Sequence, residues 1–219
     1  MAEELGKIEK MPADDYRQGR KLYFIPLIYA GTDMPPDYTE KFERYWEQAE
    51  KQLADLVAKL GDVNRVYHEL VAAGGETGEN TIKELSGPSH EIVKSLLKKH
   101  AALEAVEELD ALTEFMDWNR CLLIGLQNPN VVKKVYDAYI EAGNKRNAAI
   151  ARRIDETLKE NESAILLMRE SHQVQFPTDI RVFYVAPPAL DEIKRWLRER
   201  EESAAASPEE PPSPGEGQE

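Results

Sequence analysis

The chain has 219 residues, and its hydrophobic fraction of 42% with 8% aromatic residues is enough to build the buried core of one domain. A net charge of −13 opposes binding to a phosphate backbone, so we expect no nucleic-acid partner. The single cysteine, Cys121, excludes a disulfide framework within the chain and a cysteine-based zinc site.

The hydrophobic runs of the chain are all shorter than the roughly 18 apolar residues that a membrane span requires. The first residues are charged and contain no apolar signal segment. We therefore expect a cytoplasmic protein without a membrane partner.

The first third of the chain predicts an arm followed by a strand, a helix and a second strand. Residues 1–20 are polar and aperiodic, which favours a flexible arm. Residues 21–29 are aromatic and β-branched, which predicts a buried strand, and Pro26 indicates an edge or a bulge. An amphipathic helix over 39–60 precedes a short strand over 63–70. This strand–helix–strand order implies parallel pairing of the two strands.

The middle of the chain is predicted to be mainly helical. Residues 73–88 are rich in glycine and polar residues, so we expect a mobile connection with at most one helical turn. Three helices are predicted after it, over 89–103, 104–126 and 129–160. Gly143 lies near the middle of the last of these, where it could kink or divide the helix.

The last third adds two strands and a helix. Residues 164–168 and 179–185 predict strands, and 189–202 predict an amphipathic helix. Residues 203–219 are rich in proline and glutamate and predict a disordered tail. The fold predicted from these elements is a single α/β domain over 21–202. Its sheet is mainly parallel, has four strands or slightly more, and is flanked by amphipathic helices.

Polar residues follow two of the predicted strands, where an open α/β sheet binds its ligands. His68 and Glu69 end the second strand, and Arg169 and His172 follow the third. Two histidine–carboxylate neighbourhoods could supply an acid and a base or hold one metal ion, although strand ends commonly carry polar residues in any case. The metal and the cofactor stay open.

Complete catalytic motifs are missing from the sequence. It contains no phosphate-binding loop, no dinucleotide fingerprint, no zinc-protease helix and no nucleophile elbow. The sequence therefore does not identify a reaction.

Two predicted helices carry arginines that could contact a ligand. Arg120 follows Asp117 by three residues on one helical face, and Arg146 with Asn147 opens the second half of the long helix. An arginine there could bind an anionic group through two hydrogen bonds. Alternatively, Arg146 could pair with Asp117 or Glu69 and hold the helices on the sheet, which is the interpretation we favour. The other cations of the long helix alternate with acidic residues and predict a solvated, ion-paired face.

Taken together, Glu69, the Arg146-Asn147 pair and His172 resemble the TraB/ChaN-like group of α/β proteins. That group comprises proposed metal-dependent hydrolases and includes the pheromone-shutdown proteins. The resemblance implies an α/β fold and a site built from these residues. Arg169 stands where the family has a glycine. The family has a histidine three residues after the glycine of the first loop. In this sequence Met34 stands three residues after Gly31, which puts metal binding and hydrolysis in doubt.

Three hypotheses follow. The first is a binding or regulatory module that binds a protein partner or a small anionic ligand. The alternative is a hydrolase, in which Glu69 and His172 act as acid and base or as metal ligands and Arg146 orients an anionic substrate. The third is a homo-oligomer formed through the apolar stripe of the 129–160 helix.

Overall fold

The computed structural model describes residues 17–31 and 34–206. In this part of the chain the strands are β1 Arg20–Pro26, β2 Val63–His68, β3 Ala102–Leu103, β4 Ser163–Met168 and β5 Ile180–Tyr184. The helices are α1 Pro36–Leu60, α2 Gly75–Leu85, α3 Gly87–Lys98, α4 Leu109–Leu123, α5 Pro129–Thr157 and α6 Pro188–Ala206.

The strands form one parallel sheet in the order β3-β2-β4-β1-β5, which confirms the predicted α/β class. The predicted direct pairing of the first two strands is wrong, because β4 lies between β1 and β2. All six residues of β4 are buried, so the most apolar strand takes the centre of the sheet. Pro26 does not mark an edge strand. It is the last residue of β1, beyond the point where pairing with β5 ends.

Helices cover both faces of the sheet, and alternation along the strands divides the core between them. Ile165 and Leu167 of β4 belong to the cluster under α1, α3 and α6. Leu166 and Met168 belong to the cluster under the second half of α5, which contributes Ile150 and other apolar residues. The continuous apolar run of β4 is therefore buried on both sides.

Two elements differ from the sequence prediction in the middle of the chain. Residues 75–85 form the helix α2 instead of a mobile connection, and a Cβ added to Gly78 would lie 2.2 Å from the carbonyl oxygen of Ala73. Gly78 therefore allows helix α2 to pack closely against the backbone of Ala73. Residues 102–103 form β3, and 104–108 follow it at the sheet edge without forming a helix, where the Glu104 amide donates to the Val66 carbonyl. They were predicted to be helical.

The ends of the fold also differ slightly from the prediction. Arg20, assigned to the flexible arm, begins β1 and pairs with Asp155 and Asp179. Helix α6 extends to Ala206, past the predicted start of the tail. Residues 1–16 of the predicted arm and 207–219 of the predicted tail lie outside the described residues.

Helices α4 and α5 form the α4–α5 hairpin, residues 109–157, in which α4 packs chiefly against α5. Helix α5 is continuous, so Gly143 neither divides nor ends it. Ile150 and Ile154 pack on the sheet, whereas Val132 and Tyr136, nearer the hairpin tip, are exposed. The hairpin therefore extends beyond the carboxyl edge of the sheet. Across 17–31 and 34–206, none of the helices combines the length and the apolar character needed to cross a membrane.

Candidate functional site

A cleft of about 580 Å³ lies between the carboxyl edge of the sheet and the α4–α5 hairpin. Tyr29 follows β1, Glu69 follows β2, and Arg169 follows β4, and these three strands are neighbours in the sheet. Parallel strands end at the same edge, so residues distant in sequence meet there. The cleft is lined by Tyr29, Glu69, Leu70, Phe115, Met116, Asn119, Tyr139, Ile140, Gly143, Asn144, Arg146, Asn147, Arg169, Ser171, His172 and Gln173.

Glu69 lies at the floor of the cleft, with its carboxylate bound by two arginines. Its side chain is 2% exposed. Arg169 donates to it from the backbone amide at 2.9 Å and from Nη2 at 3.0 Å, and Arg146 donates from Nη2 at 3.2 Å. The acceptor positions of this carboxylate are therefore largely occupied by groups of the protein itself.

Arg146 connects Glu69 to a second buried carboxylate, Glu107. Its Nε donates to Glu107 at 2.9 Å, and its Nη2 also donates to this carboxylate. The Oε1 atom of Glu107, which accepts from Nη2, also accepts the backbone N–H of Leu70 at 3.1 Å, a residue held at a φ of 67°. Two carboxylates and two guanidiniums thus form a charge-balanced cluster, which is how buried charges are normally tolerated.

The electrostatics of the cluster keep Glu69 ionised. Burial alone raises the pKa of Glu69, but the hydrogen bonds and charge of Arg169, together with the charge of Arg146, outweigh burial and hold that pKa below its ordinary value. Glu69 is therefore a carboxylate at neutral pH. It has no proton to donate as a general acid.

Tyr29 and His172 present hydrogen-bond donors at the cleft. The Oη atom of Tyr29 is buried and without a hydrogen-bond partner, and burial, reinforced by the charge of Glu69, raises the pKa of Tyr29 to about 12. His172 accepts the Val174 amide at Nδ1, which leaves the proton of the neutral ring on Nε2. Burial lowers the pKa of His172, so the ring is neutral at pH 7. Both groups can donate to a ligand.

The hairpin supplies the apolar wall of the cleft. The rings of Phe115 and Tyr139 stack with centroids 5.1 Å apart, and the Arg146 guanidinium lies 5.0 Å from the Phe115 ring. Met116 and Ile140 line the same wall. The cleft is therefore polar on the side of the sheet, and on the side of the hairpin it combines this apolar surface with the amides of Asn119, Asn144 and Asn147.

The structure brings together four of the six residues proposed from the sequence: Glu69, His172, Arg146 and Asn147 all line the cleft. The structural pairing of Arg146 with Glu69, which the sequence favoured over ligand binding, is present.

The remaining two residues, His68 and Arg120, do not line the cleft. His68 is fully buried, where its Nδ1–H donates to the Glu69 carbonyl at 2.7 Å and its Nε2 accepts from Ser89. Successive strand residues point to opposite faces, which separates His68 from Glu69. Arg120 is exposed and pairs with Asp117 at 2.9 Å.

Sequence reasoning missed Glu107 and gave Tyr29 and Arg169 no specific role. Glu107 lies in a segment predicted to be helical, where a glutamate is typical of a solvated face. The non-helical backbone of 104–108 instead places the Glu107 side chain in the interior, with 0% exposure. No local pattern marks such a residue, since its partner Arg146 is 39 residues away.

Within 17–31 and 34–206, no group of three or more histidine, cysteine, aspartate or glutamate side chains could hold a metal ion. Comparison of the chain with the models of known protein families, with curated proteins and with solved structures gave no match.

Proposed function

We propose that this protein is a binding or regulatory module that takes a small amphipathic anion into the cleft. The observation that carries the proposal is the buried Tyr29 hydroxyl, which lines the cleft without a hydrogen-bond partner. Leaving a buried polar group unpaired costs about 1–3 kcal/mol, and an acceptor on a ligand would remove that cost. The volume of the cleft is within the range typical of small-molecule sites.

The polar side of the cleft favours an anionic, oxygen-bearing group. Tyr29, His172 and the half-exposed guanidinium of Arg169 all offer donors there, and Asn147 adds an amide. Because Glu69 and Glu107 balance the two arginines, binding would rest on directed hydrogen bonds more than on net charge. A carboxylate or a phosphate ester shares the required chemistry.

The apolar side favours a ligand with a hydrophobic part of modest size. Phe115, Met116 and Ile140 provide surface that a ring or a short alkyl chain would cover. The proposed ligand therefore has an anionic group directed at the sheet edge and an apolar part against the hairpin. A cytoplasmic location, expected from the sequence, is part of the same proposal.

Hydrolysis, the activity implied by the TraB/ChaN-like resemblance, is the weaker candidate. The position of Glu69 and His172 in one cleft agrees with a hydrolase. The bonds of Arg146 and Arg169 to the Glu69 carboxylate count against it, because a general base or metal ligand needs a free lone pair. The first-loop histidine of the family is also missing from this sequence.

Methyl NMR on methionine-labelled protein tests the proposed binding at a defined place. Met116 lines the cleft, whereas Met168 is fully buried in β4 outside it. With 3-phenylpropionate and phenyl phosphate as probes, we expect one or both to shift the Met116 methyl resonance and leave that of Met168 unchanged. If neither probe shifts Met116 at millimolar concentration, the proposed ligand chemistry is wrong.

Tyr29→Phe is the matched variant, since it removes only the unpaired hydroxyl. We expect it to weaken binding of the shifted probe about tenfold, the range for a hydrogen bond to a charged acceptor. Tyr67→Phe is the control, because that hydroxyl is bonded to Thr157 at 2.7 Å and lies outside the cleft. Equal affinities for wild type and Tyr29→Phe would contradict the assignment of this hydroxyl.

A further inference from the structure

Exposed apolar side chains are concentrated on the α4–α5 hairpin. Seven of the ten large hydrophobic residues exposed in the described part of the chain fall within 109–140, so the exposure is clustered and not scattered. Leu123 at the tip is 78% exposed and Tyr136 is 53% exposed. A cluster of this kind marks an interaction surface more often than isolated exposed residues do.

Part of this cluster is a regular stripe along α5. Val132, Tyr136 and Ile140 follow one another at a spacing of four residues, which places them on one face of the helix. The same face continues to Gly143 and Asn147, which line the cleft. The inner half of the face therefore lines the cleft. The outer half, Val132, Tyr136 and Ile140, is exposed, and of these three residues Ile140 also borders the cleft. We call this outer half the α5 stripe.

We propose that the α5 stripe is covered by a second copy of this chain, with the two α5 helices packed antiparallel about a two-fold axis near Tyr136. Such an isologous interface uses the same patch on both subunits, so each contact occurs twice. Tyr136 then packs against Tyr136 of the partner subunit, and Val132 packs against Ile140 of the partner subunit. This inference does not depend on the proposed ligand.

The charges beside the stripe are arranged to suit an antiparallel pair. On the adjacent exposed row of the helix, Lys133 pairs with Asp137 of the same chain at 2.6 Å, and Glu141 lies one turn further along. Antiparallel packing brings Lys133 towards Glu141 of the partner subunit, whereas parallel packing would set like charges side by side. The net charge of −13 also disfavours an anionic membrane surface as the occupant.

The available area fits a dimer of moderate affinity. The stripe together with Leu123, Ile124 and Val131 at the hairpin tip exposes on the order of 600 Å², the upper end of what a typical monomer leaves uncovered in one patch. An interface that covers the stripe and these tip residues on both subunits buries about 1,200 Å² in all, the lower end of the range for specific protein interfaces. We therefore expect a dimer that dissociates in the micromolar range.

Sedimentation velocity of the full-length chain across micromolar concentrations tests the interface. We expect a reversible monomer–dimer equilibrium in the wild type and an increase of about tenfold or more in the dissociation constant of Tyr136→Glu. Leu197→Glu is the matched control, because Leu197 is an exposed apolar residue on α6, and it should dimerise as the wild type does. Circular dichroism checks that both variants fold.

A charge exchange separates the antiparallel interface from nonspecific association. Lys133→Glu should weaken the dimer, and adding Glu141→Lys to it should restore the wild-type dissociation constant. A wild type that remains monomeric at submillimolar concentration, or binds neutral lipid vesicles as a monomer, would overturn the proposal. Equally, a Tyr136→Glu variant that dimerises like the wild type, or a double variant without recovery, would overturn it.

Discussion

Replacing Glu69 by alanine is the most informative test of the buried ionic cluster. The change leaves the backbone amide of Arg169 without its acceptor, which costs about 1–2 kcal/mol, and removes one of the two carboxylates that neutralise Arg146, which costs about 2 kcal/mol. The side chain of Arg169 is half exposed and can turn to water, so it adds little. We expect a loss of about 3 kcal/mol in the free energy of unfolding.

Urea denaturation followed by circular dichroism measures this loss. Glu170→Ala is the control, because Glu170 follows Arg169 at the end of β4 but is 43% exposed and pairs with Lys194, so its loss should stay below about 1 kcal/mol. If Glu69→Ala lost no more stability than Glu170→Ala, the cluster would not hold the cleft together and the reasoning would be refuted.

The pH dependence of stability gives a second measurement on the same variant. The pKa of Glu69 is lower in the folded protein than the 4.5 of a free glutamate, so the stabilisation it provides is fully present above about pH 4.5. It is lost as the pH falls through the folded-state pKa. Glu69→Ala should therefore show a shallower loss of stability than the wild type below pH 4.5.

Two further predictions concern the scaffold around the cleft. Burial holds the pKa of His68 below its ordinary 6.5. Below about pH 6.5 the unfolded chain therefore binds a proton at this residue more readily than the folded protein does, and the free energy of unfolding should fall as the pH is lowered. A His68→Gln variant should show a weaker fall between pH 7 and 5 in urea denaturation, and an unchanged slope would refute this role. Gly78→Ala should lose about 2–3 kcal/mol in thermal denaturation, because its Cβ would meet the Ala73 carbonyl oxygen at 2.2 Å. Gly87→Ala is its control, since nothing lies within 4 Å of the added Cβ, and equal stabilities of the two variants would contradict the packing argument.

The candidate site could be predicted in part because one rule of α/β folds is local. Strand ends can be located from apolar runs, and parallel strands end at a common edge, so Glu69 and His172 could be assigned to one place without knowing the strand order. The rule does not decide which way a side chain points. His68, one residue before Glu69, is buried on the other side and bonds to Ser89.

The partners of Arg146 could be predicted only in part. Glu69 was among the alternatives considered, since it lies at a strand end facing the helices. Glu107 was not, because residues 104–108 were predicted to be helical and instead lie at the sheet edge without forming a helix. So short a segment has nearly equal preferences for helix and strand, and the pairing of β3 with β2 decides which structure forms.

The sequence by itself determined the α/β class, the buried character of the 164–168 strand and the amphipathic faces of α1 and α5, because these depend on periodicities within a few residues. Only the tertiary structure decided the position of β4 between β1 and β2, the ionic cluster of Glu69, Arg146 and Glu107, and the bare outer half of α5. Val132 and Ile150 have the same place in the apolar pattern of α5, but one is exposed and the other fully buried. The difference arises because burial depends on which part of the helix lies over the sheet. That position depends on contacts between residues far apart in sequence.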